Sequence, residues 1–257
     1  MHKSFLFFLL AAFSFQVKFA QSQTIRVLSY NIHRGEDMNG RIDLQQIARV
    51  INDANPDVVS LQEVDSVTNR TNKVDQLKEL AALTKMNYFY GKNMDYDGGG
   101  YGVGILSKYA IVDQFVTRLP NFSKSEPRVA ATVEVKLRKN KSFLFTAIHL
   151  DYVKNPTERI EQAKKLQEVF SDIKKPSILA GDFNAEPGEV TMTDYFYKWY
   201  NDTDPGHSLS FPSNEPRKKI DYVLVSKNHR WKKKHYKVID EKIASDHRPV
   251  LSVVELK

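Results

Sequence analysis

The chain lacks cysteine altogether. No disulfide braces it, so its stability comes from packing, and an acyl-lipid anchor on an N-terminal cysteine is excluded. Long apolar runs are equally scarce. Beyond the N-terminus no segment is apolar enough to cross a bilayer. A nucleotide loop is missing too: Gly98-Gly99-Gly100-Tyr101-Gly102 has no following Lys-Ser/Thr pair and reads as a flexible turn ahead of a strand, Val103 to Leu106. Nothing in the composition suggests disorder, and 257 residues suffice to bury a substantial core.

At the N-terminus, Met-His-Lys precedes an apolar run from Phe5 to Phe15 and then Ala20-Gln21-Ser22. That order matches a secretory signal peptide over 1–22 with cleavage before Gln23. Lys18 interrupts the run, which is too short for a stable membrane span. The expectation is a secreted or periplasmic bacterial protein, a monomer, with one mature domain over 23–257. The formal charge of +7 falls by two, to +5, when Lys3 and Lys18 leave with the signal. A basic surface of that size favours acidic partners, and excess lysine is also a common solubility device.

Ile25 to Tyr30 reads as a strand ending at Asn31. Asp43 caps a helix with Gln46 as its capping-box partner and Leu44, Ile47, Ala48 and Ile51 on one face, and Asn55-Pro56 stops it. Val58 to Leu61 is the next strand, with Glu63 at its end. In the second half, Ser142 to Ile148 is a strand ending at His149. Asn155 caps a helix with Pro156 at its first position, Glu158 in the capping-box place, and Ile160, Ala163, Leu166, Val169 and Ile173 facing inward. Ile178 to Ala180 then forms a short buried strand, and Asp182 and Asn184 lie on the turn that follows Gly181. The separation from Asn31 to Glu63 is 32 residues and from His149 to Asp182 it is 33. Two strand–helix–strand units packed face to face would gather these four residues at one rim.

Other stretches are read as follows. Val74 to Leu83 is helical, with Leu77, Leu80 and Ala81 on one face. Arg128 precedes a strand, Val129 to Leu137, and either reaches a phosphate or is a solvated strand entry. Tyr195 to Tyr200 reads as a packed helix with a mixed face. Ile220 to Val225 is a strand with Asp221 near its start. Arg230 to Lys237, which includes Trp231, reads as a solvated hairpin, the alternative being a dock for nucleic acid or lipid headgroups. Ser245-Asp246-His247 stands just before the last strand.

Strand ends therefore supply Asn31, Glu63, His149, Asp182, Asn184, Asp221, Asp246 and His247. Carboxylates for a hard divalent cation, amides for phosphate oxygens and two histidines form the inventory of metal-assisted phosphoester hydrolysis.

At these residues the chain resembles the endonuclease/exonuclease/phosphatase superfamily. Its members include DNase I-like nucleases, abasic-site endonucleases, bacterial sphingomyelinases and inositol-phosphate 5-phosphatases. The likeness runs through Ser29-Tyr30-Asn31, Leu61-Gln62-Glu63-Val64, His149-Leu150, Gly181-Asp182-Phe183-Asn184, Ile220-Asp221-Tyr222 and Ser245-Asp246-His247-Arg248-Pro249-Val250. Compact bacterial secreted metal-dependent hydrolases are the members it looks most like. The resemblance implies an α/β, four-layer sandwich of two packed mixed β-sheets flanked by helices. It implies Mg²⁺ or Mn²⁺ as cofactor, bound by Glu63 with Asp246 and Asn31 nearby. Asp182 would orient or deprotonate the attacking water, and Asn184 would hold the phosphate, with Asn31 and Arg128 as further phosphate contacts. His247 would be oriented by Asp221, with His149 facing the phosphate or leaving group. The substrate would be a phosphoester: a nucleic acid, a phospholipid headgroup or a phosphorylated small molecule. No long DNA-gripping insertion, cysteine pair or aromatic hairpin narrows that choice. The rival expectation is a catalytically silent phosphate- or polyanion-binding protein of the same fold.

Overall fold

The computed structural model describes residues 23–122, 124–138, 141–204 and 206–257. The expected signal peptide, 1–22, lies outside the described residues. Twelve strands are described: β1 Gln23–Asn31, β2 Val58–Ser66, β3 Asn87–Tyr96, β4 Gly99–Ser107, β5 Ile111–Arg118, β6 Val129–Arg138, β7 Lys141–His149, β8 Ser177–Asp182, β9 Tyr200–Asp202, β10 Asp221–Ser226, β11 Trp231–Val238 and β12 Val250–Leu256. The main helices are α1 Leu44–Ala54, α2 Gln76–Thr84 and α3 Thr157–Ser171.

Two six-stranded mixed sheets result, ordered β11-β12-β1-β2-β4-β3 and β5-β6-β7-β8-β10-β9. At the middle of each lies one parallel pair, β1 with β2 and β7 with β8, joined by α1 and α3 respectively. Alternation along the strands makes the layers. Ile25 and Val27 of β1 pack toward the second sheet with Val133, Phe145, Ala180 and Val223, whereas Leu28 and Tyr30 pack under α1 and α2. The outer face of the second sheet, with Ile148, Leu179 and Leu224, is covered by α3 and by residues 192–200. The expected four-layer sandwich is therefore present. Burying each Val, Leu or Ile of the inner layer contributes about 1.5–3 kcal/mol, so a charge at Val27 would separate the sheets. A polar tie also crosses between them: Ser60 Oγ donates to the Ala180 carbonyl at 2.9 Å.

Local chemistry accounts for the helix ends. The Asp43 carboxylate accepts from the Gln46 N–H at 2.8 Å, and Asn55 ends α1 in the left-handed region at φ 46°. Asn155 Oδ1 accepts from the Thr157 N–H at 3.1 Å, but Glu158 does not close a capping box; it is buried and accepts from the Phe122 N–H at 3.0 Å. The buried face of α3 is consequently Glu158, Arg159, Gln162, Ala163 and Leu166, and Ile160, Val169 and Ile173 are only half-buried.

Three further expectations are corrected. Of the glycine cluster only Gly98, at φ 74°, lies in the turn ahead of the strand, because Gly99 to Gly102 lie inside β4. A Cβ at Gly102 would stand 2.1 Å from the Gly91 carbonyl oxygen of β3, so the strands' approach requires glycine there. Tyr195 to Tyr200 is not one helix: a π-helical turn over Thr191–Phe196 runs into a short helix, Tyr197–Trp199, and Tyr200 opens β9. Arg230 to Lys237 forms no hairpin with the preceding strand, since β10 and β11 belong to different sheets. Instead β11 is an edge strand paired to β12.

Candidate active site

Register brings three polar residues of the second sheet into one row. His149 ends β7 and is the register partner of Asp182, which ends β8 and is in turn the partner of Asp221 at the start of β10. Partners in register share a face, and this one looks toward the first sheet. A Cβ at Gly181 would sit 2.0 Å from the Ile148 carbonyl oxygen, so glycine lets β8 close on β7 just before Asp182. After the strand, Asn184 takes a left-handed φ of 47°, its N–H bonded to Asp182 Oδ1 at 2.9 Å and its Nδ2 donating to the Leu150 carbonyl at 3.0 Å.

The first sheet supplies Asn31 and Glu63. Asn31 continues the inward series of Ile25 and Val27. Regular alternation would send Glu63 the other way, to the helical side with Val59 and Leu61. The ladder to β4 prevents this: Leu61 pairs with Gly104 and Val64 with Gly102, so Gln62 and Glu63 together oppose one residue. At this bulge Glu63 adopts φ 57°, a strained value for a non-glycine residue, and its carboxylate turns into the cleft. Thus Glu63 sits within β2, not after its end.

Asp182 Oδ2 is the meeting point of the two sheets. Asn31 Nδ2 donates to it at 3.2 Å and to Glu63 Oε1 at 3.0 Å. The Asn31 Oδ1 accepts from the His33 N–H at 3.0 Å, which fixes the amide with its NH₂ toward the carboxylates. Asn31 in this arrangement positions Glu63 and Asp182, and its oxygen faces away from them. His149 Nε2 and His247 Nε2 approach the same Asp182 oxygen at 3.5 and 3.6 Å. On its other side His247 Nδ1 bonds to Asp221 Oδ2 at 3.0 Å, and Ser210 Oγ donates to that oxygen at 2.6 Å. The Phe211 ring tilts against the imidazole at 4.6 Å between centroids. Ser245 Oγ donates to the Asn31 carbonyl at 2.7 Å, tying the segment with Asp246 and His247 to the end of β1.

Burial and charge drive these groups apart. Burial alone would keep the His247 imidazole neutral, but Asp221, Asp182 and Asp246 outweigh it and hold its pKa at about 10. The His149 imidazole is pushed well below its ordinary value by burial, aided by Arg128 and His247. Burial pushes the Asp182 carboxyl upward, with Asp221 adding to the rise and His247 opposing it. The site holds one charged histidine and one neutral one around a single carboxyl group.

Asp182, Asp221 and His247 are close enough to suggest a cation cage. Their bonding argues otherwise, because Asp221 Oδ2 already accepts from Ser210 and His247, and a cation would have to displace that proton. Glu63 and Asp246 fit a hard cation better. Among the described residues Glu63 accepts one side-chain hydrogen bond and Asp246 only a long one, from Ser245 at 3.4 Å. Both line the same cleft of about 430 Å³, together with Arg128, His149, Asp182, Asn184 and His247. Carboxylate oxygens with free lone pairs suit Mg²⁺ or Mn²⁺.

Sequence reasoning missed part of the wall. Ser210 and Phe211 come from an irregular stretch with no periodic signal. Arg70 is held by Asp65 at 2.6 Å and lies over the Tyr96 ring at 4.4 Å. Glu126 pairs with Arg128 at 2.9 Å. Arg128 itself is buried, not a solvated strand entry.

Two packed mixed sheets with outer helices, and a rim of carboxylates, amides and histidines drawn from both, define a DNase I-like α/β sandwich. The chain belongs to the Endonuclease/Exonuclease/phosphatase family, whose model matches residues 28–247. An uncharacterized protein of Escherichia coli K12, YbhP, is 26% identical over 175 residues, 64% of this chain and 68% of the relative. Among solved structures, an endonuclease/exonuclease/phosphatase from Beutenbergia cavernae superposes with a TM-score of 0.76 at 23% identity, over 91% of this chain and 72% of its own. A mannosyl-6-phosphatase from Bacteroides thetaiotaomicron gives 0.72 at 21% identity, over 90% of this chain and 99% of its own. Members of the family are typically phosphoester hydrolases and generally depend on a divalent metal.

Proposed function

We propose that this protein is a secreted or periplasmic hydrolase that cleaves a phosphoester by metal-assisted attack of water. The observation behind this reading is the environment of Asp182 Oδ2, with Asn31 Nδ2, His149 Nε2 and His247 Nε2 all within 3.6 Å. A water seated against Asp182 is oriented by the carboxyl group and gives up its proton to it as the new O–P bond forms. His247, charged and aimed by Asp221, donates to a phosphoryl oxygen whose negative charge grows. Asn184 and the neutral His149 bond the remaining phosphoryl oxygens. Glu63 and Asp246 would hold Mg²⁺ or Mn²⁺, which supplies electrostatic stabilisation of the leaving oxygen as its bond to phosphorus breaks.

The rival reading, a silent phosphate- or polyanion-binding protein, is disfavoured because none of these groups is replaced. A family relative that acts as a mannosyl-6-phosphatase supports phosphorylated small molecules as substrates. The residues 1–22 motivate the exported location, and monomeric action fits a site built from one chain. The purified mature protein, assayed on nitrophenyl phosphoesters with Mg²⁺, Mn²⁺ or EDTA, should turn over only with metal. Turnover that persists in EDTA, or none on DNA, RNA, phospholipid and sugar phosphates alike, would reject the hydrolase.

A further inference from the structure

The guanidinium of Arg128 is only 2% exposed, yet its Nε and Nη1 have no hydrogen-bond partner. Its one ion contact, Nη1 to Glu126 Oε1 at 2.9 Å, does not satisfy either atom in hydrogen-bond geometry. A buried charge with unsatisfied N–H groups costs several kcal/mol unless something completes it. Arg128 lines the same cleft as His149, Asp182 and His247, so the group that completes it enters from that cleft. It immediately precedes β6, which pairs with β7, the strand that ends in His149, and β7 pairs in turn with β8, which ends in Asp182.

The wall behind Arg128 is closed. Tyr101 is 6% exposed and Asn93, which accepts from the Val129 N–H at 3.2 Å, is 3% exposed. On the opposite flank the cleft is open: Tyr152 is 63% exposed and leads into an adjoining hollow of about 450 Å³ lined by Lys154, Phe211 and Lys218. A phosphoryl oxygen that meets Arg128 therefore has no room for an organic substituent behind it, whereas the Tyr152 flank has room for one.

Resting on the hydrolase reading above, we propose that Arg128 caps a terminal phosphoryl group, making the protein a phosphomonoesterase whose alcohol leaves along the Tyr152 flank. A monoester offers a third terminal oxygen, which completes the Arg128 fork; a diester puts a carbon substituent there, leaving Nε and Nη1 without an acceptor against a closed wall. Water adds its oxygen to phosphorus, the ester O–P bond breaks, and inorganic phosphate and the alcohol are the products.

The test compares p-nitrophenyl phosphate with methyl p-nitrophenyl phosphate, which share a leaving group, in the metal-loaded mature protein. The monoester should be favoured by at least about 100-fold in kcat/KM, and Arg128→Gln should lower monoester turnover by about 100-fold while changing the diester less than about threefold. Arg128→Lys, which keeps the charge and loses the fork, should fall between them. Thermal unfolding checks folding; if Arg128→Gln is unstable, Arg128→Lys is read through a raised inhibition constant for inorganic phosphate. Equal use of both esters by the native protein, or an equal loss on both in the variant, overturns the proposal. Should neither ester turn over, nor DNA, RNA, phospholipid or sugar phosphates, the hydrolase reading falls. Calorimetric binding of inorganic phosphate then decides the subsite alone, weakened in Arg128→Gln if it stands and unchanged if it does not.

Discussion

Asp221 Oδ2 and His247 Nδ1 stand 3.0 Å apart at the start of β10 and the approach to β12, joining residues from the two different sheets' segments. Both are buried, so the bond fixes which imidazole nitrogen faces Asp182 and keeps the ring charged.

Asp221→Asn keeps the shape and removes that charge. A fall in kcat of about 100-fold or more is expected, with little loss of thermal stability. His247→Ala should be at least as damaging, and the double variant far from additive because the pair acts as one unit. Additive losses in this cycle would reduce Asp221 to a structural strand residue.

Glu63→Gln should act through the metal. A neutral amide is a poor ligand for Mg²⁺, so activity falls and raised Mn²⁺ recovers part of it. Metal titrations that match the native protein at every concentration would remove Glu63 from the ligand set.

Asn31 links the two carboxylates, and Asn31→Leu removes both of its donated bonds at similar size. Weakening of metal affinity by about 10-fold to 100-fold is expected, as for other residues that orient ligands. Calorimetry on the metal alone reads this without any turnover. Native affinity in the variant would show that Glu63 is held by the bulge by itself.

Asp37 gives the pH expectation. Its carboxylate accepts from the backbone N–H of Arg41 and Asn39 and from the Arg41 side chain, which hold its pKa at about 2. The folded value lies below the ordinary one of 3.8, so this stabilisation is complete above about pH 4 and is lost as pH falls through about 2. The turn is stitched to the segment before Asp246 by the Met38 N–H to Ile243 carbonyl bond at 2.8 Å. Carbon-detected NMR should find Asp37 still ionised at pH 3, and Asp37→Asn should abolish the acid-dependent loosening of residues 37–41. An Asp37 that titrates near pH 4 would contradict this account.

The lysines of β11 have a structural use. Lys234 pairs with Glu255, Lys233 Nζ donates to the Asp202 carbonyl at 3.1 Å, and the ladder to β12 is bulged between Lys233 and His235. Charge and a bulge on an edge strand discourage pairing with another chain. Replacing Lys232, Lys233 and Lys234 by glutamine should raise self-association in light scattering while small-phosphoester turnover survives. Unchanged solubility, with weakened nucleic-acid binding, would return the run to a polyanion dock.

Much of the site could be read from the chain because strand ends announce themselves. Ile178 to Ala180 is short, apolar and closed by glycine, which put Asp182 and Asn184 at the strand's exit; Asp182 proved to be the last residue of β8 and Asn184 to lie on the turn. Glu63 was legible as a polar residue near a strand, but not its direction, which depends on one extra residue in the ladder to β4; Gly102 and Gly104, which flank the bulge across the ladder, give no hint of it. Ser210 and Phe211 were invisible because only the Asp221–His247 contact gives them meaning. The edge strands β3, β5 and β9 escaped for another reason: an edge has partly exposed faces, and its weak alternation resembles a loop.

The strand order has a last consequence. The second sheet is built from consecutive strands, β5 to β10, inserted into the first, which begins with β1 and closes only with β11 and β12. On the ribosome, Glu63 and Asp182 emerge well before Asp246 and His247, while one edge of β1 waits unpaired for the final strand. The nascent chain is therefore chemically incomplete until the segment leading into β12 has emerged, and β12 is the latch that pairs the open edge of β1.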